Sequence, residues 1–292
     1  LIDKAPGPTS AEIVRQVKRR LGKRVRVGHL GTLDPFATGL LPILVGEGTK
    51  LAPFLQEGVK EYRGQIALGS ETDTLDPTGE VVRSAPLPDL EEGLLDRIAA
   101  QFTGTIEQTP PIFSAIKRGG VRLYRLARLG TEVEPPAARR VEITRLELRP
   151  VTEAKLEFDV ACSSGMYVRS LARDIGIALG TVAHLSELIR VRNGAFVITQ
   201  AHPLTSVLAA LESHDHACLV GMREALPGLP EVAIDENVER RLRNGDSRVL
   251  DHLGPADGGL FKLVSDGKLV AIGQSTSRVT AAIARVFGAN VD

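Results

Sequence analysis

One carboxylate, Asp34, lies in a loop between glycines, within residues 28 to 41 (Gly-His-Leu-Gly-Thr-Leu-Asp-Pro-Phe-Ala-Thr-Gly-Leu-Leu). Glycine adopts backbone conformations that other residues resist, and Pro35 fixes the backbone angle that follows the aspartate. A carboxylate held still in this way can act as a nucleophile or a base. The Asp-Pro pair is equally typical of a helix N-terminus, with Asp34 as the N-cap and Pro35 at the first helical position. Spacing alone leaves both interpretations open.

Other chemistry-bearing patterns are weaker. The glycines match neither a P-loop nor a dinucleotide-binding loop, so no nucleotide cofactor is predicted. His214, His216 and Cys218 alternate, but no second ligand pair lies at zinc-site spacing, so no metal is predicted. The sequence contains no G-x-S-x-G motif, and Cys162 has no recognisable reactive setting. An acid, an arginine able to keep it ionised, an aromatic residue and basic surfaces suit chemistry on a nucleotide taken out of its stack.

Charge is balanced globally, with 36 basic and 36 acidic residues, but it is clustered locally. Phosphate binding needs only a local basic face, so two clusters are predicted to contact nucleic acid, although a solvated helix face is the simpler alternative for either one. The clusters contain Lys4, Arg15, Lys18, Arg19, Arg20, Lys23, Arg24 and Arg26 in the first and Lys117, Arg118, Arg122, Arg125 and Arg128 in the second.

Length and composition indicate an ordinary globular protein. The 292 residues suffice for one large domain or a large and a small one, and 43% of them are hydrophobic. Two cysteines are too few for a disulfide framework and favour a reducing cytoplasm. No apolar run approaches the roughly 20 residues of a membrane helix, and no signal peptide is recognised.

Local patterns predict the elements that position Asp34. A capping box at residues 9–12 begins a helix that ends at Gly22, and alternation from Tyr62 to Leu68 predicts a strand. Helices are predicted at about 49–55 and 89–102, in a short segment carrying Tyr124 and Arg128, and from residues 163–169 to Gly180. Strands are predicted near 141–149, 155–162 and 185–196.

Residues 74–79, Thr-Leu-Asp-Pro-Thr-Gly, repeat the Thr-Leu-Asp-Pro of the Asp34 loop. The order Asp-Pro-x-Gly between two strand-like segments is typical of a type I turn. We therefore predict a turn here and not a second active site.

The last 62 residues contain short strand-like segments, many glycines and one short helix around residues 237–243. They predict a small β-rich domain, with a boundary near residue 230.

The Asp34 loop resembles a known family signature. Gly28-His29-x-Gly31-Thr32-Leu33-Asp34-Pro35-x-Ala37-Thr38-Gly39 is similar to that of the TruB-type tRNA pseudouridine synthases of bacteria, and the order and spacing agree over nearly the whole chain. The resemblance implies an α+β pseudouridine-synthase fold with a mixed, mainly antiparallel sheet flanked by helices. It also implies a catalytic domain at 1–230, an RNA-binding insertion at about 105–140 that includes Ser114 to Lys117, and a small PUA-like RNA-binding domain at 231–292.

The same resemblance implies the site residues. The catalytic aspartate corresponds to Asp34, the active-site tyrosine to Tyr62, and the arginine that pairs with the aspartate to Arg169. A histidine that supports the flipped-out nucleotide corresponds to His29. Two further residues, Tyr167 and Leu188, match those that border the target base.

The implied activity is isomerisation of uridine-55 in the tRNA T loop to pseudouridine, by base flipping and without metal or cofactor. The expected partner is the tRNA T stem-loop, and the enzyme is expected to act in the cytoplasm as a monomer with no obligatory protein partner. Two alternatives stay open: a guide-dependent synthase subunit of the dyskerin-like kind, and a non-catalytic RNA-binding module in which Asp34 only caps a helix.

Overall fold

A mixed nine-stranded sheet organises the computed structural model, which describes residues 1–114, 117–118, 121–123, 134–250, 253, 255, 258–275 and 281–288, with side chains left out at 117–118 and 121–122. The helices are α1 Ser10–Leu21, α2 Ala52–Leu55, α3 Leu94–Phe102, α4 Val168–Ala178, α5 Leu204–Glu212 and α6 Glu236–Arg243. Shorter 3-10 helices are Gly46–Leu51, Ile198–Gln200 and Ser247–Leu250.

The strands are β1 Ile2–Lys4, β2 Val27–His29, β3 Thr38–Leu41, β4 Ile43–Val45, β5 Lys60–Leu68, β6 Ser70–Thr72, β7 Val81–Ser84, β8 Gly104–Gln108, β9 Lys117–Arg118, β10 Val121–Arg122, β11 Arg139–Thr152, β12 Lys155–Cys162, β13 Ala183–Asn193, β14 Phe196–Val197, β15 His202–Pro203, β16 Glu231–Ala233, β17 Gly259–Ser265, β18 Lys268–Ser275 and β19 Ala281–Val286.

Strand order in the main sheet is β15-β1-β3-β13-β5-β12-β11-β8, and β14 pairs with β13. The β1–β15 and β3–β13 pairs are parallel, and the other pairs in this sheet are antiparallel. The predicted α+β class with a mixed sheet and helices is therefore confirmed.

Several elements follow directly from local sequence. Thr9 caps α1: its side chain accepts a hydrogen bond from the Glu12 amide, and the Glu12 carboxylate accepts one from the Thr9 amide. In β5, Tyr62, Ile66 and Leu68 face the core as the alternation predicts. The segment predicted to be a helix over 89–102 starts only at α3, because Gly93 adopts a left-handed conformation (φ 73°) through which a helix cannot run.

Three apolar clusters hold the chain together. The largest is formed by residues of the main sheet and of its helices, and it includes Tyr62, Phe158, Leu171 and Ile175. The third lies in the C-terminal region, where four strands form a sheet in the order β16-β17-β18-β19. The sequence predicts a β-rich region here. None of the helices in the described ranges is long and apolar enough to cross a membrane. The predicted short helix with Tyr124 and Arg128 lies outside the described residues.

The second cluster joins the C-terminal sheet to the strands around the Asp34 loop. Leu30 and Leu40, on either side of that loop, belong to the same cluster as Leu269, Ile272 and Phe287. Glu47 adds a polar connection, since its carboxylate accepts a hydrogen bond of 2.6 Å from the Gly288 amide.

Gly39 sits where β3 meets β13, and we expect its replacement by alanine to destabilise the fold. Its φ is 94°, and an added Cβ would lie 2.5 Å from the Arg190 carbonyl oxygen and 2.8 Å from Ile189 Cγ1. Because alanine here would suffer both left-handed backbone strain and overpacking, Gly39→Ala should lower the free energy of unfolding by at least about 2 kcal/mol, as measured by urea denaturation. Gly28→Ala, where nothing lies within 4 Å, is the control. Equal stability of the two variants would contradict this packing argument.

Candidate active site

The loop that carries Asp34 joins two strands, β2 and β3. No helix begins at Asp34, so the N-cap interpretation is wrong: Thr38 already starts β3, and the Ala37 amide hydrogen-bonds the Asp34 carbonyl at 3.1 Å to close a tight turn. The turn holds the backbone, and the Asp34 side chain remains 31% exposed. A substrate can therefore reach the carboxylate.

Arg169, the second residue of α4, grips this carboxylate with two nitrogens. Its Nε lies 2.9 Å from Asp34 Oδ2, and its Nη2 lies 3.3 Å from Oδ1. The remaining donors are also used, since Nη1 donates to the Thr74 carbonyl and Nη2 to the Phe113 carbonyl, both at 2.9 Å. The guanidinium is only 7% exposed, so its position is fixed by the protein and not by solvent. The pairing implied by the family resemblance is thus present.

A second carboxylate, Asp76, completes this network. Its Oδ2 lies 3.5 Å from Arg169 Nη1, while its Oδ1 accepts hydrogen bonds from the Thr74 hydroxyl and from the amide and hydroxyl of Thr78. Residues 73–78 do form a turn between β6 and β7, as predicted. The prediction missed that this turn borders the Asp34 site, because an aspartate 42 positions away in sequence reaches the same arginine only through the tertiary fold.

These neighbours set the proton affinity of Asp34. Burial raises the pKa of its carboxyl above the ordinary value, the Arg169 guanidinium opposes the rise, and the negative charge of Asp76 adds to it. A carboxylate with a raised pKa binds a proton more strongly than a solvated aspartate does. The site therefore presents a base stronger than a free aspartate and keeps it in a bidentate ion pair.

Lys4 does not belong to the basic surface in which the sequence analysis placed it. Its side chain is fully buried, and its ammonium donates to the carbonyls of Pro35 at 3.0 Å and Ala37 at 2.7 Å. Burial lowers its pKa to about 8, and Asp34 opposes that shift. The lysine thus holds the turn just after Asp34.

Tyr62 and Leu188 lie on the neighbouring central strands β5 and β13, and both are buried. Burial raises the pKa of the Tyr62 phenol, and the nearby Arg190 guanidinium opposes this. The Leu188 carbonyl accepts a hydrogen bond from the Thr38 hydroxyl at 3.3 Å, which ties β13 to the strand that leaves the Asp34 loop.

Tyr167 immediately precedes α4 and is held by a fully buried glutamine. Gln108 accepts a hydrogen bond from the Tyr167 amide at 2.8 Å and donates one to its carbonyl at 3.1 Å. The Arg139 guanidinium lies 4.5 Å from the centroid of the Tyr167 ring. His29 ends β2, half-buried, at the start of the Asp34 loop.

Most of the first basic cluster is on the surface. Arg20 and Arg26 form ion pairs with Glu212 at 2.6 Å and Glu47 at 2.8 Å. Four further exposed cations have no ion pair among the described residues. They are Lys18, Arg19, Lys23 and Arg24. The second cluster cannot be placed, since the side chains of Lys117, Arg118 and Arg122 and the whole of Arg125 and Arg128 lie outside the described part of the chain.

Comparison with known proteins decides the family. A model described as the TruB family pseudouridylate synthase N-terminal domain matches residues 18–168, and one described as the tRNA pseudouridylate synthase B C-terminal domain matches 169–226. The chain belongs to the TruB family of pseudouridylate synthases. The predicted family and the predicted enzyme class are thereby confirmed.

Two curated TruB relatives illustrate the similarity, and both are named tRNA pseudouridine synthase B. The protein of Geobacter sulfurreducens is 40% identical over 282 residues, which cover 94% of this chain and 92% of that protein. The protein of Chromohalobacter salexigens is 39% identical over 272 residues, covering 93% and 88%.

A solved structure supports the same fold. This chain aligns with a chain in the crystal structure of a Cbf5-Nop10-Gar1 complex with a TM-score of 0.73 and 26% sequence identity. The alignment covers 98% of this chain and 84% of that one.

For this TruB family member we predict that Asp76→Asn changes the pH dependence of turnover. A carboxylate that must be ionised loses activity as pH falls through its pKa, and Asp76 raises the pKa of Asp34. Neutralising Asp76 should therefore move the acidic limb of the profile of single-turnover rate against pH to lower pH. Because Arg169 also loses a contact, the plateau rate should fall. Asp73→Asn, in the same turn, is the control. An acidic limb that stays in place in Asp76→Asn would exclude this electrostatic coupling.

Proposed function

We propose that this TruB enzyme converts uridine-55 in the T loop of tRNA to pseudouridine, with Asp34 as the catalytic residue. The observation that carries the proposal is the bidentate ion pair of a buried arginine with Asp34, whose side chain is still 31% exposed. Support for tRNA as the substrate comes from the relatives named tRNA pseudouridine synthase B.

The reaction needs no exchange of atoms with a cofactor. The C1′–N1 bond of the flipped uridine breaks, the uracil turns in the site, and C5 bonds to C1′. The proton on C5 then leaves, its electron pair restores the C5–C6 double bond, and N1 takes up a proton, so the product is an isomer of the substrate. Asp34 acts in one of three ways, by attack on the sugar, by attack on the base, or by abstraction of a ribose proton. Each route requires it ionised, which Arg169 favours.

In the proposal, the remaining site residues contact the flipped-out base or support its conformation. Tyr62 stacks on the flipped uracil and relays a proton, and base–aromatic stacking of roughly 1 to 3 kcal/mol offsets part of the cost of unstacking. Leu188 closes the apolar side of the pocket, Tyr167 borders the base, and His29 supports the flipped-out conformation.

The RNA contacts extend beyond this pocket. In the proposal, residues 1–230 form the catalytic domain, the insertion at about 105–140 grips the RNA, and 231–292 form a PUA-like RNA-binding domain. A T loop is a physically sensible target because sequence-specific RNA recognition favours single-stranded loops whose bases can be splayed out. The enzyme acts as a cytoplasmic monomer without a protein partner, in contrast to a guide-dependent subunit.

Tritium release from an unmodified tRNA transcript carrying 5-tritiated uridine tests the proposal, because C5 loses its hydrogen in the reaction. The purified chain alone should release tritium, and Asp34→Asn should reduce the rate by at least about a thousandfold while retaining tRNA binding. No release by the wild-type chain would exclude a standalone enzyme and leave the guide-dependent or non-catalytic alternatives. Undiminished release by Asp34→Asn would exclude Asp34 as the catalytic residue.

Binding of tRNA should also depend strongly on salt, because contacts to phosphates release counterions. Lys23→Gln and Arg24→Gln should each lower the slope of log Kd against log salt by about one, as expected for loss of one phosphate contact. Arg20→Gln is the matched control, since Arg20 already pairs with Glu212 at 2.6 Å and has less charge to offer. A Kd that does not change with salt would contradict the phosphate-binding role.

A further inference from the structure

Arg190 on β13 is among the largest fully buried side chains described, at 1% exposure. All three guanidinium nitrogens donate to backbone carbonyls of the Asp34 loop or of β3, the strand that follows it. Nε donates to the Leu40 carbonyl at 2.8 Å, Nη2 to the Gly31 carbonyl at 3.1 Å, and Nη1 to the Thr32 carbonyl at 3.4 Å. One side chain therefore holds the backbone on both sides of Asp34.

This arginine is unusual because its partners are neutral. Among the described residues Arg190 forms no ion pair, whereas Arg192, two positions along the same strand, pairs with Glu61 at 2.7 Å. A buried charge without a carboxylate partner is costly, and carbonyl dipoles compensate only part of that cost. Inside a protein such a charge acts strongly on a neighbouring group, because the low dielectric weakens screening.

The neighbouring group is Tyr62. Tyr62 and Arg190 are paired residues on adjacent antiparallel strands, so their side chains emerge side by side on one face of the sheet. The positive charge of Arg190 also acts on the Tyr62 phenol, because it opposes the rise in the phenol pKa that burial causes.

We infer that Arg190 is a positioning residue that fixes the Asp34 loop and the Tyr62 phenol relative to one another. The inference rests on the proposed function, in which Asp34 reacts and Tyr62 contacts the base. A planar guanidinium suits this task because it presents several donors in a fixed fork, whereas a lysine offers a single flexible ammonium. Charge alone would therefore not replace it.

Arg190→Lys tests the fork while keeping the charge. We expect kcat for tritium release to fall roughly a hundredfold with little change in KM, because small displacements of reacting groups cost about that much. Arg192→Lys, on the same strand but half-exposed, should retain the wild-type kcat. In a Tyr62→Phe background, Arg190→Lys should cost less than it does alone, since part of its effect passes through the phenol. Wild-type kcat in Arg190→Lys, or strictly additive losses with Tyr62→Phe, would overturn the inference.

A spectroscopic test separates positioning from simple stabilisation. The chain has three tyrosines, so carbon-13 labelling at the tyrosine ζ position gives few resonances, and Tyr62→Phe assigns the relevant one. This resonance should shift in Arg190→Lys and stay in place in Arg192→Lys. Conversely, Tyr62→Phe, which removes only the phenol oxygen, should shift the guanidinium resonances of Arg190 in an otherwise wild-type chain. Unmoved guanidinium resonances would overturn the inference even if the arginine variants failed to fold.

These tests remain distinct from the test of function. The tyrosine and guanidinium resonances are measured without RNA, so they report on Arg190 even if the wild-type chain releases no tritium. Loss of kcat is interpreted per folded molecule, with the folded fraction taken from circular dichroism. A kcat that falls only in proportion to the folded fraction would assign Arg190 a purely structural role and overturn the inference.

Discussion

The ion pair between Asp34 and Arg169 is the interaction on which the rest of the site depends. Its geometry requires a guanidinium that cannot rotate, and the protein achieves this with two backbone carbonyls, those of Thr74 and Phe113, and a second carboxylate on Asp76. These groups come from segments far apart in sequence. The turn after β6, the segment after β8 and the start of α4 must therefore all be in place before Asp34 acquires its partner.

The Asp34 loop itself is held by cations beneath it. Lys4 binds the carbonyls of Pro35 and Ala37, and Arg190 binds those of Gly31, Thr32 and Leu40. These backbone carbonyls thus face buried positive charge, while the Asp34 side chain is 31% exposed. Fixed dipoles and charges of this kind do not need to reorganise when charge develops in a reaction, which is the physical basis of electrostatic preorganisation.

Sequence alone predicted what local chemistry determines. The capping box of α1 and the alternation in β5 could be predicted because each depends on neighbours a few residues away, whereas the class of the fold came from the family resemblance. The N-cap interpretation of Asp34 was wrong, since only the pairing of β3 with β1 and β13 decides that a strand follows. Burial of Lys4 and the contact of Asp76 with Arg169 were missed for the same reason. The repeated Thr-Leu-Asp-Pro was the available signal, but a short repeat carries no information about which side chains meet.

The C-terminal sheet also helps to hold the Asp34 loop in place. Leu30 and Leu40 flank the loop and share an apolar cluster with Leu269, Ile272 and Phe287 of the C-terminal strands and the residue that follows them. The Leu40 carbonyl also accepts a hydrogen bond from Arg190 Nε. The boundary proposed near residue 230 therefore separates two sheets that each have an apolar cluster of their own, and a further cluster spans it. Because apolar burial is the main source of stability in a fold, the C-terminal sheet stabilises the position of the loop. Removing it would expose the leucines on which the Asp34 loop rests.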